Sequence, residues 1–311
     1  MDRSTVQWRG YWPAAPTPFS ADGALDEGAI GALLGQYVDD GVHGILVNGS
    51  SGEWWAQSNA ERRRVAELAI AAVAGRVPVV IGCTGFTPEE VIDLAAHAAE
   101  AGADGVLCTP PPYAHPTQEE VLAFYSAVDR AIELPLIAYN WPRGTGLEIE
   151  LETAKWIADL EHVVAIKNST AHWPLVVDCI EALADRVRIF ASLINRRGLA
   201  IIRELGGDGY IDGGGIGAPF AVPFFESLWQ GDLDEARRQA DRYWQLTAGL
   251  IRPDFGGRFG SPSSQLKAAM DLLGQPGGQV RSPLEPTTDP EAIKQIGAIL
   301  VEAGLLRGAA A

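Results

Sequence analysis

The sequence is poor in basic residues, and this shortage restricts the partners that the protein can bind. Its 311 residues include 24 lysines and arginines against 40 aspartates and glutamates, which gives a net charge of −16. Such an excess of acidic charge disfavours a nucleic acid or an anionic membrane surface as a partner. Any small anionic substrate would have to be held by local groups against the overall field.

Cysteines and long apolar runs are also scarce. The three cysteines, Cys83, Cys108 and Cys179, lie in apolar surroundings without Cys-x-x-Cys spacing, which predicts small core residues in a reducing compartment. No stretch approaches 18 uninterrupted apolar residues, and the first nine residues contain no apolar run of signal-peptide length. We therefore expect a cytoplasmic protein.

A short pattern recurs along the chain, in which two glycines three residues apart are followed by an apolar triplet. The copies begin at Gly41, Gly102 and Gly206. Each follows a segment of helical periodicity, so the first glycine predicts a helix end and the triplet predicts a buried parallel strand. The separations of 61 and 104 residues match about two and four helix-plus-strand units. Eight such right-handed units would close into a barrel.

The predicted class is therefore α/β, a (β/α)8 TIM barrel with a C-terminal helical extension. Strands are predicted near 11–18, 44–48, 77–82, 104–109, 135–139, 162–167, 187–191 and 209–212. Helices are predicted near 26–40, 58–74, 87–101, 117–132, 150–160 and 172–184, and the third of them carries an N-cap at Thr87 and a capping-box Glu90. Strands cease near residue 230, which predicts a barrel domain at 1–229 and a three-helix extension at 230–311, with helices near 232–252, 261–274 and 289–304.

Two predicted strands end in side chains that suit carbonyl chemistry. The run that begins at Val163 ends in Lys167, and the run that begins at Leu134 ends in Tyr139. A desolvated ammonium is costly, so a buried lysine tends to lose its proton and become a nucleophile. A lysine at a strand end is, however, more often a surface residue whose stem packs on apolar neighbours. The barrel strengthens the reactive interpretation, because reactive groups lie at the carboxyl ends of its strands.

Strand alternation makes this placement testable. Val163, Ala165 and Lys167 share a parity and would point to one face of their strand, as would Pro135, Ile137 and Tyr139 in theirs. If Ala165 and Ile137 point into the barrel, both reactive side chains do too. The turn Asn48–Glu53 ends the second strand and offers amides and hydroxyls that can receive a carboxylate and relay protons.

These residues carry a resemblance to the dihydrodipicolinate synthase / N-acetylneuraminate lyase family of class I, Schiff-base-forming lyases. The resemblance covers nearly the whole chain. It rests on four motifs in the same order, Gly49-Ser50-Ser51-Gly52-Glu53, Pro111-Pro112-Tyr113-Ala114-His115-Pro116-Thr117, Tyr139-Asn140-Trp141-Pro142 and Ile166-Lys167, and it extends to Ser261–Lys267 in the helical extension.

The resemblance implies that Lys167 forms an imine with the 2-oxo group of pyruvate or a related 2-oxo acid. Tyr139 would shuttle the proton, and Ser50 would link it to Tyr113, which in this family usually comes from the neighbouring subunit. The amides and hydroxyls of Ser50 and Ser51, with Gly49 of the same turn, would hold the substrate carboxylate, and the backbone carbonyl of Ile211 would face the site.

The same resemblance implies a homo-oligomer, a dimer of dimers, with small molecules as its other partners. Imine chemistry requires no metal or other cofactor, and we expect none. The five histidines are scattered without ligand spacing, which favours surface or packing roles.

Departures from the family bear on the second substrate. In synthases that use aspartate semialdehyde, an arginine stands two places after the proline of the tyrosine motif; here Pro142 is followed by Arg143 and then Gly144. The segment Ala191–Asn195, after the seventh strand, is also too apolar to hold a sugar acid. We therefore predict pyruvate with an aldehyde other than aspartate semialdehyde, or cleavage or dehydration of a 2-oxo acid with a less polar tail. Arg143 is long enough to span one residue of offset, so 4-hydroxy-tetrahydrodipicolinate synthase itself remains an alternative.

Two further interpretations stay open. The glycine clusters Gly206–Gly209 and Gly213–Gly215 could cradle a phosphorylated ligand, since loops after strands seven and eight of such barrels often do, although neither contains lysine or arginine. The chain could also be a non-catalytic sensor on an enzyme barrel. The presence of both Lys167 and Tyr139 argues against that.

Overall fold

The computed structural model describes residues 1–307 and shows a closed barrel of eight parallel strands in chain order. The last strand pairs with the first over five residues, which completes the ring. The predicted TIM barrel is confirmed. The strands are β1 (Gly10–Ala14), β2 (Ile45–Val47), β3 (Val79–Gly82), β4 (Gly105–Cys108), β5 (Leu136–Asn140), β6 (Val163–Asn168), β7 (Arg188–Ala191) and β8 (Gly209–Gly213).

Helices alternate with the strands, and three more follow the barrel in the described part of the chain. Those of the barrel are α1 (Glu27–Asp39), α2 (Asn59–Val73), α3 (Pro88–Ala101), α4 (Gln118–Asp129), the short α5 (Pro142–Thr145), α6 (Leu151–Ala158), α7 (Trp173–Leu183), α8 (Arg196–Glu204) and α9 (Ala218–Gln230). The extension consists of α10 (Leu233–Leu250), α11 (Pro262–Leu272) and α12 (Pro290–Glu302), as predicted.

Local signals set most of the element ends. The first glycines of the three repeats, Gly41, Gly102 and Gly206, have φ of 77°, 92° and 105° and end their helices in the left-handed region, as expected. Strand β1, however, stops at Ala14 rather than at residue 18. Pro16 lacks the amide donor that a further ladder bond needs.

The predicted capping box of α3 is only half right. Thr87 caps the helix by accepting a hydrogen bond from the backbone amide of Glu90. The Glu90 carboxylate does not return a bond to the Thr87 amide; it accepts one from the amide of Phe86 instead.

The two faces of the strands bury separate apolar clusters. The outer face packs against the surrounding helices. The inner face fills the barrel with large side chains, and its members include Trp12, Leu46, Val80, Leu107, Ile137, Tyr139, Ala165, Phe190 and Ile211. The barrel is therefore a packed core, and a substrate can be held only at its rim.

A bulge in β6 changes the alternation expected for that strand. Leu136 pairs with Val163, but Ile137 pairs with Ala165, so Val164 is one extra residue in β6. Val163 consequently packs on the outer face, while Val164 and Ala165 both lie inside the barrel. The predicted parity is wrong for Val163 and right for Ala165 and Ile137.

The three cysteines lie in the core, as their apolar surroundings predicted. Cys83, Cys108 and Cys179 are buried and unpaired. No helix within residues 1–307 combines the length and the apolarity needed to cross a bilayer. In the same residues, no three histidine, cysteine or acidic side chains lie together in a way that could hold a metal ion.

Candidate active site

A cavity of about 310 Å³ lies at the carboxyl end of the barrel. Its floor is formed by the ends of β5, β6 and β8 together with the turn after β2. Six of the residues predicted to form the site line it, namely Ser50, Ser51, Tyr139, Arg143, Lys167 and Ile211. The tertiary structure thus brings together residues that are up to 161 positions apart in the chain.

Lys167 is buried beneath this cavity, with only 6% of its surface exposed. Its Nζ lies 4.1 Å from the ring centroid of Tyr139. Burial lowers the pKa of Lys167 to about 7, and the charge of Asp212 opposes this effect. A pKa change of that size means that the buried site favours the neutral form of the amine by about 5 kcal/mol more than water does. The amine is therefore available as a nucleophile near neutral pH.

Tyr139 stands beside Lys167 on the neighbouring strand, and the two residues pair directly in the β5–β6 ladder. Its phenol is 3% exposed. Burial raises the pKa of Tyr139, and hydrogen bonding to the hydroxyls of Ser169 and Ser50 lowers it in part. The phenol therefore keeps its proton at neutral pH and can donate it, with hydroxyls beside it through which the proton can be replaced.

The hydroxyl turn after β2 is fixed by close backbone contacts. Asn48 has a φ of 54°, and its side-chain amide donates a hydrogen bond to the backbone carbonyl of Arg62 over 2.8 Å. A side chain at Gly82 would meet the Asn48 carbonyl at 2.2 Å, so only glycine lets β3 approach the turn. Ser50 and Ser51 are consequently presented to the cavity by a rigid support.

Two of the predicted site residues do not line the cavity. Gly49 is not among the residues that line it and packs against Leu46. Tyr113 lies in the loop between β4 and α4, with 88% of its surface exposed and a φ of 71°. Its phenol is therefore presented to the outside of this chain.

Arg143 reaches the mouth of the cavity but is already paired. Its guanidinium donates to the Asp254 carboxylate over 2.8 Å. Gly144, where the resemblance would place an arginine, has no room for a side chain: a Cβ there would lie 2.3 Å from the indole of Trp141. The indole therefore occupies the space of that side chain.

Asp212, at the end of β8, lines the cavity and was missed by the sequence analysis. Its carboxylate accepts hydrogen bonds from the hydroxyls of Tyr243 at 2.5 Å and Tyr11 at 3.1 Å, and from the amide of Gly213 at 2.7 Å. Burial raises the pKa of Asp212, and these bonds lower it in part. Its position at a strand end was the available signal. It is the carboxylate whose charge acts on Lys167.

The helical extension also contributes to the cavity. Tyr243 of α10 holds Asp212, and Leu246, Leu250 and Leu266 form part of the wall. This contribution could not be predicted, because nothing in the helical periodicity of the extension shows what its apolar face covers.

The two glycine clusters lie at opposite ends of β8. Gly206–Gly209 does not follow β7, as the phosphate hypothesis required, but leads from α8 into β8 at the amino end of the barrel. There Asp208 pairs with Arg188 at 2.7 Å and with Arg3 at 3.0 Å. Gly213–Gly215 does border the cavity, but directly after the acidic Asp212, which repels a phosphate. The geometry does not favour phosphate binding.

Comparisons with known proteins identify the family of the chain. The family model described as the dihydrodipicolinate synthetase family matches residues 7–303. A protein of Rhizobium meliloti named "Uncharacterized DapA-like lyase" is 31% identical over 294 residues, which cover 91% of this chain and 92% of that protein. A 4-hydroxy-tetrahydrodipicolinate synthase of Bradyrhizobium diazoefficiens is 31% identical over 304 residues, which cover 97% of this chain and 98% of that enzyme.

Among solved structures, the chain is similar to YagE, a prophage protein of Escherichia coli K12 described as a member of the dihydrodipicolinic acid synthase family and solved in complex with pyruvate. The two superpose with a TM-score of 0.86 at 27% identity, over 96% of this chain and 100% of YagE. The fold and the comparisons agree, and the chain belongs to the dihydrodipicolinate synthetase family, whose enzymes are class I lyases that form a Schiff base.

Proposed function

We propose that this lyase acts on pyruvate or a related 2-oxo acid through an imine on Lys167. The observation that carries the proposal is the position of Lys167 in the cavity: it is buried, its pKa is lowered to about 7, and Tyr139 lies beside it. Similarity to YagE, which was solved with pyruvate, supports this class of substrate.

The chemistry would begin with attack of the neutral amine on C2 of the 2-oxo acid. The oxygen leaves as water after it has taken up two protons, and an iminium ion remains. Loss of a proton from C3 then gives an enamine, because the iminium nitrogen accepts the electron pair of the broken C–H bond. The enamine carbon can attack an aldehyde, and the reverse sequence cleaves the bond so formed.

Tyr139 would serve as the proton carrier in these steps, because it keeps its proton at neutral pH and lies next to the amine. The amides and hydroxyls of Gly49, Ser50 and Ser51 would receive the substrate carboxylate. Because this turn presents several hydrogen-bond donors from a rigid support, it offsets the repulsion between the substrate carboxylate and the carboxylate of Asp212.

The oligomer belongs to the same proposal. Tyr113 is 88% exposed and lies outside the cavity of its own chain, so a neighbouring subunit is where its hydroxyl would complete a relay through Ser50. We propose a dimer of dimers built around this exchange. The buried, unpaired cysteines fit a reducing compartment, which supports the cytoplasm as the location.

Trapping the imine tests the proposal. Incubation with pyruvate and sodium borohydride should add one reduced pyruvyl group to the peptide that contains Lys167, as measured by mass spectrometry. The matched control is Lys267→Arg, which keeps the other buried lysine position cationic and should not change the labelled peptide. A protein that stays unlabelled, while a known lysine-dependent aldolase is labelled alongside, would refute the proposal.

A further inference from the structure

The cavity is divided into a polar floor and an apolar mouth. Lys167, Tyr139 and the serine turn form the floor. The mouth is lined by Trp55, Trp141, Ile216, Leu246, Leu250, Ile251 and Phe255. The 2-oxo acid would occupy the floor under the function proposed above. Whatever reacts with its enamine must therefore pass through, and lie in, the apolar part.

An aromatic column connects the floor to the mouth. The indole of Trp141 stacks on the ring of Tyr139, with centroids 5.9 Å apart and planes inclined by 20°. Phe255 contacts the other end of this indole, edge to face, at a centroid distance of 5.7 Å. Gly144 leaves room for the indole, because any larger residue at that position would clash with it. The column thus depends on the glycine that replaces the expected arginine.

Phe255 is held in place by a tight loop between α10 and α11. Ile251 and Gly257 form an antiparallel bridge, and the amide of Arg252 donates to the carbonyl of Gly256 over 2.7 Å. Phe255 itself has a φ of 61°, a conformation that is rare for a bulky side chain. The loop therefore keeps an unfavourable backbone conformation while it places an aromatic ring over Trp141, which points to a function at the mouth.

The positive charge at the mouth is neutralised by an ion pair. Among the described residues that line the cavity, the basic side chains are Lys167 and Arg143. Lys167 would be consumed in the imine, and Arg143 is paired with Asp254 at 2.8 Å. An anionic second substrate would thus find no free cation and would have to displace a carboxylate to obtain one. An uncharged substrate encounters no such competition.

We infer that the second substrate, the aldehyde that this lyase adds or releases, is uncharged and carries an aromatic or aliphatic group that packs against Trp141 and Phe255. This inference rests on the proposed function. Asp254 acts as a specificity residue because it pairs with Arg143, the one arginine among the described residues that line the cavity.

A panel of aldehydes with pyruvate held constant tests the inference. The probes are benzaldehyde and butanal, which are uncharged, and succinate semialdehyde, which carries a carboxylate. We expect kcat/KM for benzaldehyde to exceed that for succinate semialdehyde at least about tenfold, the scale of one well-placed apolar or ionic contact. Phe255→Ala should lower kcat/KM for benzaldehyde about tenfold and leave pyruvate trapping unchanged.

Asp254→Asn removes the negative charge beside Arg143 and keeps a side chain of similar size, so it tests the charge of the mouth separately from its shape. It should raise kcat/KM for succinate semialdehyde up to about fivefold, because it frees Arg143 from an exposed ion pair, and should leave benzaldehyde unaffected. The matched control is Asp234→Asn, which breaks a similar exposed pair with Arg237 on α10, away from the cavity, and should change neither.

The outcomes distinguish this inference from the function on which it rests. A wild-type protein that does not trap pyruvate refutes the proposed function. A protein that traps pyruvate but prefers succinate semialdehyde, or turns over no aldehyde of the panel, refutes the inference alone. An unchanged preference in Asp254→Asn would likewise remove Asp254 from the control of specificity.

Discussion

Lys167, at the carboxyl end of the barrel, and Lys267, where the helical extension meets the barrel, are almost equally buried at 6% and 5% exposure. Their surroundings differ completely. The Nζ of Lys267 donates to the Glu53 carboxylate at 2.7 Å and to the carbonyls of Thr17 and Gln279 at 2.8 and 2.6 Å. The Nζ of Lys167 donates to no group within residues 1–307 and faces a tyrosine ring and the cavity.

The comparison shows that burial alone does not make a lysine reactive. Burial lowers the pKa of both residues, but contact with Glu53 counteracts the effect at Lys267, whereas only the charge of Asp212 opposes it at Lys167. Lys267 is thus a structural cation that ties α11 to the turn after β2. Lys167 has no hydrogen-bond or ion-pair partner among residues 1–307, which costs stability and leaves its amine accessible from the cavity.

The largest effect is expected from Lys167→Met. Turnover should fall at least about 10³-fold, because Lys167 is the one lysine among the described residues that line the cavity. The free energy of unfolding at pH 7 should not decrease, since the substitution removes a desolvated amine that makes no hydrogen bonds. Chemical denaturation of both proteins checks this. A marked loss of stability would show that Lys167 resembles Lys267 after all.

The same pair of proteins reveals the sign of the proton linkage. The folded-state pKa of Lys167 lies near 7, below its unfolded value of 10.5, so the unfolded chain binds more protons between these limits. The stability of the wild type should therefore rise relative to that of Lys167→Met as the pH increases from 7 to 10.5. A constant difference across this range would contradict the lowered pKa.

Lys267→Met should have the opposite effects on stability and on chemistry: it should destabilise the protein and leave imine formation intact. It leaves Glu53, which is 0% exposed, without its cation, and should cost about 3–5 kcal/mol of unfolding free energy. Imine trapping at Lys167 should persist at temperatures where the variant remains folded. The double variant Lys267→Met with Glu53→Gln should recover part of the loss. No recovery would mean that the methylene packing of Lys267, rather than its charge, is what matters.

Tyr139→Phe should lower turnover by about 10²-fold, the usual scale for a lost proton carrier, with little change in stability. Ser50→Ala should have a smaller effect, because water can partly replace a hydroxyl. Steady-state kinetics with pyruvate provide the measurement. If Tyr139→Phe turned over at the wild-type rate, the phenol would have no part in the mechanism, and Tyr139 would only pack against Lys167.

Asp212→Asn should have the smallest effect. The Asp212 charge raises the pKa of Lys167, so its removal should lower that pKa further and shift the acid limb of the pH profile of kcat/KM towards lower pH. The change in rate at pH 6 should remain below about tenfold, because the carboxylate acts through space and does not contact the amine. A shift towards higher pH would contradict this role.

The fold and the floor of the site were largely predictable. The repeats at Gly41, Gly102 and Gly206 indicated the helix-plus-strand units, and the apolar runs indicated where Lys167 and Tyr139 lie. Both signals are local, since they depend on side chains only a few residues apart. The bulge at Val164 was not predictable, because an extra residue in a strand is specified by its partner strand.

The sequence by itself determined the barrel, the strand-end positions of Lys167 and Tyr139, and the absence of an arginine at Gly144, because short-range periodicity and residue identity suffice for each. Tertiary structure alone decided that Trp141 fills the space above Gly144, that Asp254 pairs with Arg143, and that Glu53 pairs with Lys267 while Lys167 has no ion-pair partner within residues 1–307. Both ion pairs join residues distant in the chain, and the indole of Trp141, although only three residues from Gly144, packs against the distant Phe255. These contacts depend on how helices and loops pack around the closed barrel.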